Sequence, residues 1–141
     1  MEVVLPESNR FVGKSVIVTG AARGIGEGIA ERFTREGAKV LLVDIDKQVT
    51  ETAARLNQAV LLKDVTARDA GQVIAEAAMR AFGRIDVLVN NAGYGLAGAV
   101  EEVSEDEYMP MFNTNVFGLV HVTQSFLPHF RSRRSGHILN L

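Results

Sequence analysis

The sequence predicts an α/β protein built on a doubly wound parallel sheet. Short apolar runs that resemble strands alternate with helical patterns in units of roughly 25–30 residues, the rhythm of parallel β-α-β units with right-handed crossovers. A glycine-rich turn joins the first strand to the first helix. Hydrophobic residues form 47% of the 141 residues, which is enough to bury one core at this length.

The first two β-α units fill the first part of the chain. Ser15–Thr19 is a short β-branched run typical of a buried strand, and Lys39–Asp44 is a second such run. The helix between them is expected to end at Gly37, and Asp46 can cap the helix that follows. The apolar positions at helical spacing are Ile25, Ile29, Ala30 and Phe33 in the first helix, and Val49, Ala53 and Leu56 in the second.

Two further strands are predicted at Ala59–Leu62 and Ile85–Val89. Thr66 followed by Asp69 resembles a capping box, so we expect a helix to begin there and to end at Gly83. Its apolar stripe would consist of Ala70, Val73, Ile74, Ala77 and Ala81.

A long helix and a fifth strand complete the pattern. Ser104 and Glu107 have capping-box spacing, Pro110 should kink or interrupt the helix early, and 137–141 begins the fifth strand. We expect the helix to present one apolar face made of Phe112, Val116, Leu119, Val120, Thr123, Leu127 and Phe130.

Composition narrows the classes of function. The chain has fifteen Lys and Arg and seventeen Asp and Glu, so its net charge is close to zero. Neither nucleic acid nor a membrane surface is therefore an expected partner. The absence of cysteine excludes disulfides, thiolate catalysis and cysteine-bound metals. His121, His129 and His137 form no close pair with ligand spacing, so no metal site is predicted.

The chain divides into a polar, flexible N-terminal arm over residues 1–10 and one domain over residues 11–141. The N-terminus lacks a basic region followed by a long apolar stretch, so no secretory signal is predicted. No run approaches the ~18 apolar residues that a membrane span needs. We therefore expect a soluble, cytoplasmic protein.

The turn after the first strand reads TGAARGIG over residues 19–26. Gly20 permits a tight turn, Gly24 permits close approach of a diphosphate, and Gly26 lets the helix pack against the strand. The G-x-x-x-G-x-G spacing differs from G-x-G-x-x-G, and three glycines could also form a turn that binds nothing. A P-loop with Gly13-Lys14-Ser15 as its tail is rejected, because that motif needs glycine where Ser8 stands and because Lys14 precedes a strand and not a helix.

Three further motifs accompany this turn. Asp64-Val65 follows the third strand, NNAG over residues 90–93 follows the fourth, and Asn115 lies in the long helix. In order and spacing, these motifs resemble the short-chain dehydrogenase/reductase family from Lys14 to Leu141. The resemblance implies a Rossmann-like fold, truncated after the fifth strand. It also implies an NAD(P)-dependent oxidoreductase that moves hydride between a nicotinamide cofactor and a small-molecule alcohol or carbonyl.

The resemblance also implies cofactor contacts, residue by residue. Asp64 and Val65 would meet the adenine ring, with the carboxylate accepting from the exocyclic amine. The residues implied to line the diphosphate are Gly20, Arg23, Gly24, Ile25 and Gly26. Those implied along the cofactor or between neighbouring strands are Asn90, Asn91, Ala92 and Gly93. Tyr94 would stand at the entrance of the substrate pocket.

Asp44 ends the second strand, where a carboxylate can bind the adenosine ribose hydroxyls and would repel a 2′-phosphate. Arg23 argues for the opposite preference, since a basic residue in the glycine-rich turn could attract that phosphate. An unpaired carboxylate facing the phosphate is the larger penalty. We therefore expect NAD, with NADP less favoured.

Of the family's catalytic Asn, Ser, Tyr and Lys, the resemblance assigns only Asn115. Neither Tyr94 nor Tyr108 is followed by Lys four residues later, and the Ser is expected beyond Leu141. We therefore expect this chain alone to be inactive and marginally stable, and the full-length form to be a homo-oligomer. The alternative is a non-catalytic remnant that binds nucleotide or forms dimers.

Overall fold

The computed structural model describes residues 8–141, so most of the predicted arm lies outside the described residues. The elements in chain order are β1 (Ser15–Thr19), α1 (Gly24–Arg35), β2 (Lys39–Asp44), α2 (Gln48–Leu56), β3 (Ala59–Leu62), α3 (Ala70–Phe82), β4 (Val87–Asn90), α4 (Glu105–Phe112), a π-helical turn (Asn113–Gly118), α5 (Leu119–Arg133) and β5 (His137–Asn140).

The sheet has the order β3-β2-β1-β4-β5, and all its pairs are parallel. The chain moves outward from β1 in one direction through β2 and β3, and then returns to add β4 on the other side of β1. This confirms the predicted doubly wound, Rossmann-like sheet. The order reverses between β1 and β4, where such sheets bind ligands at the carboxyl ends of their strands.

Two apolar cores cover the two faces of the sheet. Alternate residues of β1 point to opposite faces, so Ile17 enters one core while Val16 and Val18 enter the other. The first core joins β1, β2 and β4 to α3 and α5 through Ile17, Leu41, Leu88, Ile74, Val122 and Phe126. The second joins the same strands to α1 and α2 through Val16, Val40, Val89, Ala30, Val49 and Ala53.

The helix predicted after Thr66 is present, but the predicted capping box between Thr66 and Asp69 does not form. The Thr66 hydroxyl donates to Asp64 Oδ1 at 2.7 Å, and α3 begins only at Ala70. Asp69, the expected box partner, instead accepts from Lys63 Nζ at 2.7 Å. By contrast, the predicted box between Ser104 and Glu107 forms at the start of α4.

The long helix is divided by the π-helical turn, which begins three residues after Pro110. This agrees with the predicted early interruption. Of the expected apolar face, Phe130 is buried and Leu119, Thr123 and Leu127 are half-buried. Val122 and Phe126, which were not predicted for that face, are buried as well. The other members of that face, Phe112, Val116 and Val120, are exposed in this chain.

The described end of the N-terminal arm contacts the domain through a buried carboxylate. Glu36 is 1% exposed and accepts hydrogen bonds from Ser8, Arg10 and Arg32. These bonds fasten the chain that enters β1 to the end of α1. Among residues 8–141, no helix is both long and apolar enough to cross a membrane.

Candidate functional site

The loops at the carboxyl ends of β1, β2, β3 and β4 surround a cleft of about 760 Å³, beside the point where the strand order reverses. The structure brings most of the predicted cofactor residues to this cleft. Those in its lining are Gly20, Arg23, Ile25, Gly26, Asp44, Asp64, Val65, Asn91, Ala92 and Gly93. Gly24, Asn90 and Asn115 are outside the lining.

The glycine-rich turn connects β1 to α1 and lines the cleft through Gly20 and Gly26. Gly20 and Gly24 have φ values of +66° and +61°, which side chains rarely tolerate. A side chain at Gly26 would overlap the carbonyl oxygen of Gly20, so the helix can approach the turn only with glycine there. The space around Gly24 is open, which leaves its backbone accessible to a ligand.

The Ala22 peptide is held on both sides. Its N–H donates to Asp44 Oδ2 at 2.9 Å, and its carbonyl accepts from the buried Thr52 hydroxyl at 2.8 Å. The other oxygen of Asp44 accepts the N–H of Asp46 at 3.0 Å. The carboxylate at the end of β2 is therefore fixed in orientation, and the turn that leads into α1 is fixed with it.

Asp64 and Val65 form the wall after β3. Asp64 Oδ1 accepts both the N–H and the hydroxyl of Thr66, at 2.8 and 2.7 Å, which turns the loop at this point. Val65 is 7% exposed and packs on Gly118, where an added Cβ would lie 3.1 Å from Val65 Cγ2. The wall after β3 is thus fitted against the end of the π-helical turn.

Asn90 and Asn91 connect strands. The buried Asn90 amide donates to Asn140 Oδ1 at 2.9 Å and to Thr123 Oγ1 at 3.0 Å, linking β4 to β5 and α5. The Asn91 amide donates to the carbonyls of Thr19 and Gly20, linking β4 to the end of β1. These contacts agree with the strand-tying part of the prediction.

Asn115 lies in the π-helical turn, and its amide pairs with the backbone of Tyr94. Asn115 Nδ2 donates to Tyr94 O at 2.8 Å, while Tyr94 N donates to Asn115 Oδ1 at 3.0 Å. Gly93 makes room for this contact, because an added Cβ would lie 2.9 Å from Asn115 Oδ1. The amide therefore positions the loop after β4, and Tyr94 itself lines the cleft.

Several lining residues were not predicted as cofactor contacts: Ala22, Val43, Ile45, Asp46, Lys63, Thr66, Pro110, Asn113 and Thr114. Most of them adjoin a predicted motif, so extending each motif by one or two residues would have found them. Pro110, Asn113 and Thr114 come from α4 and the π-helical turn, and no local pattern marked them. In residues 8–141, no group of three His, Cys, Asp or Glu side chains could hold a metal ion.

The cleft geometry and its motifs coincide with a known family. The family model for short chain dehydrogenases matches residues 14–141. The chain belongs to the short-chain dehydrogenase family. A relative within this oxidoreductase family is an uncharacterized oxidoreductase of Staphylococcus epidermidis, 37% identical over 131 residues, which are 91% of this chain and 57% of that protein.

Two solved structures of short-chain dehydrogenases and reductases are similar to the chain. One is a short-chain dehydrogenase/reductase of Burkholderia phymatum in complex with NAD, with a TM-score of 0.88 and 33% identity over 92% of this chain and 49% of that one. The other is a 3-ketoacyl-(acyl-carrier-protein) reductase of Brucella melitensis complexed with NADH, with a TM-score of 0.87 and 35% identity over 92% and 56%. The chain thus spans about half the length of the relatives it matches.

Proposed function

We propose that this chain binds a nicotinamide dinucleotide and serves an oxidoreductase that interconverts an alcohol and a carbonyl. The observation that carries this proposal is the convergence of the glycine-rich turn, Asp44 and the segments around Asp64 and Asn91 on one cleft. Family membership and the two solved relatives with bound NAD or NADH support the same cofactor class.

The residues of the cleft suit the parts of such a cofactor. The open space at Gly24 and the start of α1 suit a diphosphate, since free N–H groups and the positive end of the helix dipole meet there. Asp44 suits the adenosine ribose, and the Asp64-Val65 wall suits the adenine. The nicotinamide ring would supply the hydride donor or acceptor.

NAD is the proposed cofactor in preference to NADP. Asp44 is held in the cleft by two backbone N–H groups, so it is not free to turn away from a 2′-phosphate. A carboxylate fixed in this way binds ribose hydroxyls and repels a phosphate dianion.

The proposed contribution of these 141 residues is cofactor binding and the positioning of the loop after β4. Neither tyrosine starts the Tyr-x-x-x-Lys pattern that the family's proton transfer uses. Both polar atoms of the Asn115 amide bond to the Tyr94 backbone, which favours a positioning role for this residue. Binding without turnover by this chain alone is therefore the second candidate function.

The test is a titration of the purified chain with NADH, followed by nicotinamide fluorescence, with Gly24→Asn and Gly24→Asp as a matched pair. Both side chains tolerate a positive φ better than other residues, so both variants should keep the fold. The added carboxylate should weaken NADH binding about tenfold or more relative to the amide, because it faces the diphosphate. Absence of saturable NADH binding by the unmodified chain would refute the proposal.

The preference for NAD is tested with Asp44→Asn, which removes the charge and keeps the size. We expect NADH affinity to fall and NADPH affinity to rise, with a combined change of about tenfold in their ratio. Thermal melting of the variant without nucleotide shows whether the glycine-rich turn survives the change. An unchanged ratio in a folded variant would contradict the assignment of Asp44 to the ribose.

A further inference from the structure

Both basic side chains that line the described part of the cleft are paired with carboxylates. Arg23 Nη1 lies 3.7 Å from Asp46 Oδ2, and Lys63 Nζ lies 2.7 Å from Asp69 Oδ1. The hydrogen bond from Lys63 lowers the pKa of Asp69, so that carboxylate stays charged opposite the lysine. The cations of this cleft are therefore already opposed by anions before any ligand binds.

Asp46 is the better placed of these carboxylates to influence a cofactor, because it lines the cleft itself. Its Oδ1 accepts the N–H of Gln48 at 2.9 Å at the start of α2, and its own N–H donates to Asp44 at 3.0 Å. These two bonds leave Oδ2 facing Arg23 across the cleft rim. The sequence Asp44-Ile45-Asp46 thus brings a second negative charge beside the first.

We infer that Asp46 is a specificity-determining residue, which disfavours a 2′-phosphorylated dinucleotide by holding and neutralising Arg23. The inference rests on the proposed function of the cleft. Arg23 is 75% exposed and Asp46 is 40% exposed, so their pair contributes little to folding. The ion pair instead changes the electrostatic potential at the rim of the cleft. Without Asp46, the charge of Arg23 would be available to a phosphate dianion.

The charge of Asp46 can be removed without removing its structural bond. In Asp46→Asn, the amide oxygen can still accept the N–H of Gln48, so the hydrogen bond at the start of α2 is kept. Glu76→Gln on α3 is the control, because it makes the same change of charge outside this cleft. Dissociation constants for NADH and NADPH would be measured by fluorescence titration of the whole chain at low ionic strength, where screening is weak.

We expect Asp46→Asn to raise the ratio of NADPH to NADH affinity about fivefold or more, and Glu76→Gln to leave it unchanged. The rise should disappear when Arg23→Gln is combined with Asp46→Asn. An unchanged ratio of NADPH to NADH affinity in Asp46→Asn would overturn this inference, and so would a rise that persists in the double variant. In either case, NADH binding by the unmodified chain would still support the proposed function. A chain that binds neither dinucleotide would overturn both.

Discussion

Asn115 and Tyr94 are joined by two antiparallel hydrogen bonds, in which one side-chain amide satisfies both polar groups of a backbone residue. The pairing imitates the contact between two strands, although its two partners lie in a π-helical turn and in the loop after β4. π-Helical turns interrupt long helices at functional sites more often than elsewhere. Here the turn places Asn115 so that it holds one wall of the cleft.

Replacing Asn115 by alanine should loosen that wall. The variant loses both bonds to Tyr94, so we expect the free energy of unfolding to fall by about 1–2 kcal/mol in urea titrations. NADH affinity should fall several-fold, because Tyr94 lines the cleft. Gln124→Ala, at an exposed position of α5, is the control. Equal stability and equal NADH affinity in the two variants would show that the pairing has no positioning role.

The stability of the domain should decline in acid partly through Glu36. Hydrogen bonds from Arg10 and Ser8 lower the pKa of Glu36 to about 2, against its burial, which raises it. Because the folded pKa lies below the ordinary value of 4.5, the carboxylate stabilises the fold fully above about pH 5. That contribution is lost as the pH falls from about 5 towards 2.

Urea titrations at several pH values would measure this effect. Glu36→Gln should be less stable than the unmodified chain at pH 7, and the difference should shrink steadily between pH 5 and about 2. Glu101→Gln removes an exposed carboxylate elsewhere and should behave like the unmodified chain. A constant difference across this pH range would mean that the ionisation of Glu36 is not linked to folding.

The strands could be predicted because the information that marks them is local. A run such as 39–44 has no polar side chain between its ends, so only a strand covered on both faces can bury it. Val122 and Phe126 were missed because a 3.6-residue pattern was continued through the π-helical turn, whose wider winding shifts the positions that face the domain. Val122 is therefore buried, while Val116 and Val120 are each 41% exposed.

The sequence predicted those parts of the candidate site that belong to its motifs. Gly20 and Gly26 of the turn, Asp44 and Asp64 could be placed at the cleft because strand ends meet at one edge of a parallel sheet. The ion pair between Arg23 and Asp46 could not, because it joins two loops across the cleft and depends on the direction of both side chains. Similarly, nothing in the sequence around Pro110 and Asn113 indicated that α4 and the π-helical turn would line one side of the cleft.

Asp86 connects several elements at the amino-terminal ends of the strands, on the side of the sheet away from the cleft. This buried carboxylate accepts hydrogen bonds from Arg84, Arg133 and the N–H of Ser15. Burial alone would raise the pKa of Asp86, but these bonds outweigh it and hold the pKa below its usual range. The contacts connect the start of β1 to the start of β4 and to the end of α5.

Asp86→Asn keeps the size of the side chain and removes the charge that both arginines face. We expect a loss of about 2–4 kcal/mol in the free energy of unfolding, since Lys14, Arg84 and Arg133 all lose the charge of a buried partner. Glu102→Gln makes the same charge change at an exposed position and should cost little. Equal urea midpoints for the two variants would show that the cluster around Asp86 does not stabilise the fold.

Two helical glycines should respond to alanine in opposite directions. Gly71 lies where α3 crosses α5, and an added Cβ would overlap the Ser125 hydroxyl and lie 2.8 Å from the carbonyl oxygen of His121. Gly28 lies on the exposed side of α1 with open space around it. Gly71→Ala should therefore destabilise the domain by about 1–3 kcal/mol through overpacking, whereas Gly28→Ala should stabilise it by about 0.5–1 kcal/mol through helix propensity.

The two substitutions add the same methyl group to the same residue type, so any difference between them isolates the helix crossing. Thermal and urea unfolding of both variants would measure it, with loss of far-ultraviolet circular dichroism as the signal. A gain in stability for Gly71→Ala would mean that α3 and α5 can separate without cost. In that case the close contact between Gly71 and Ser125 would not be what fixes the distance of α5 from α3.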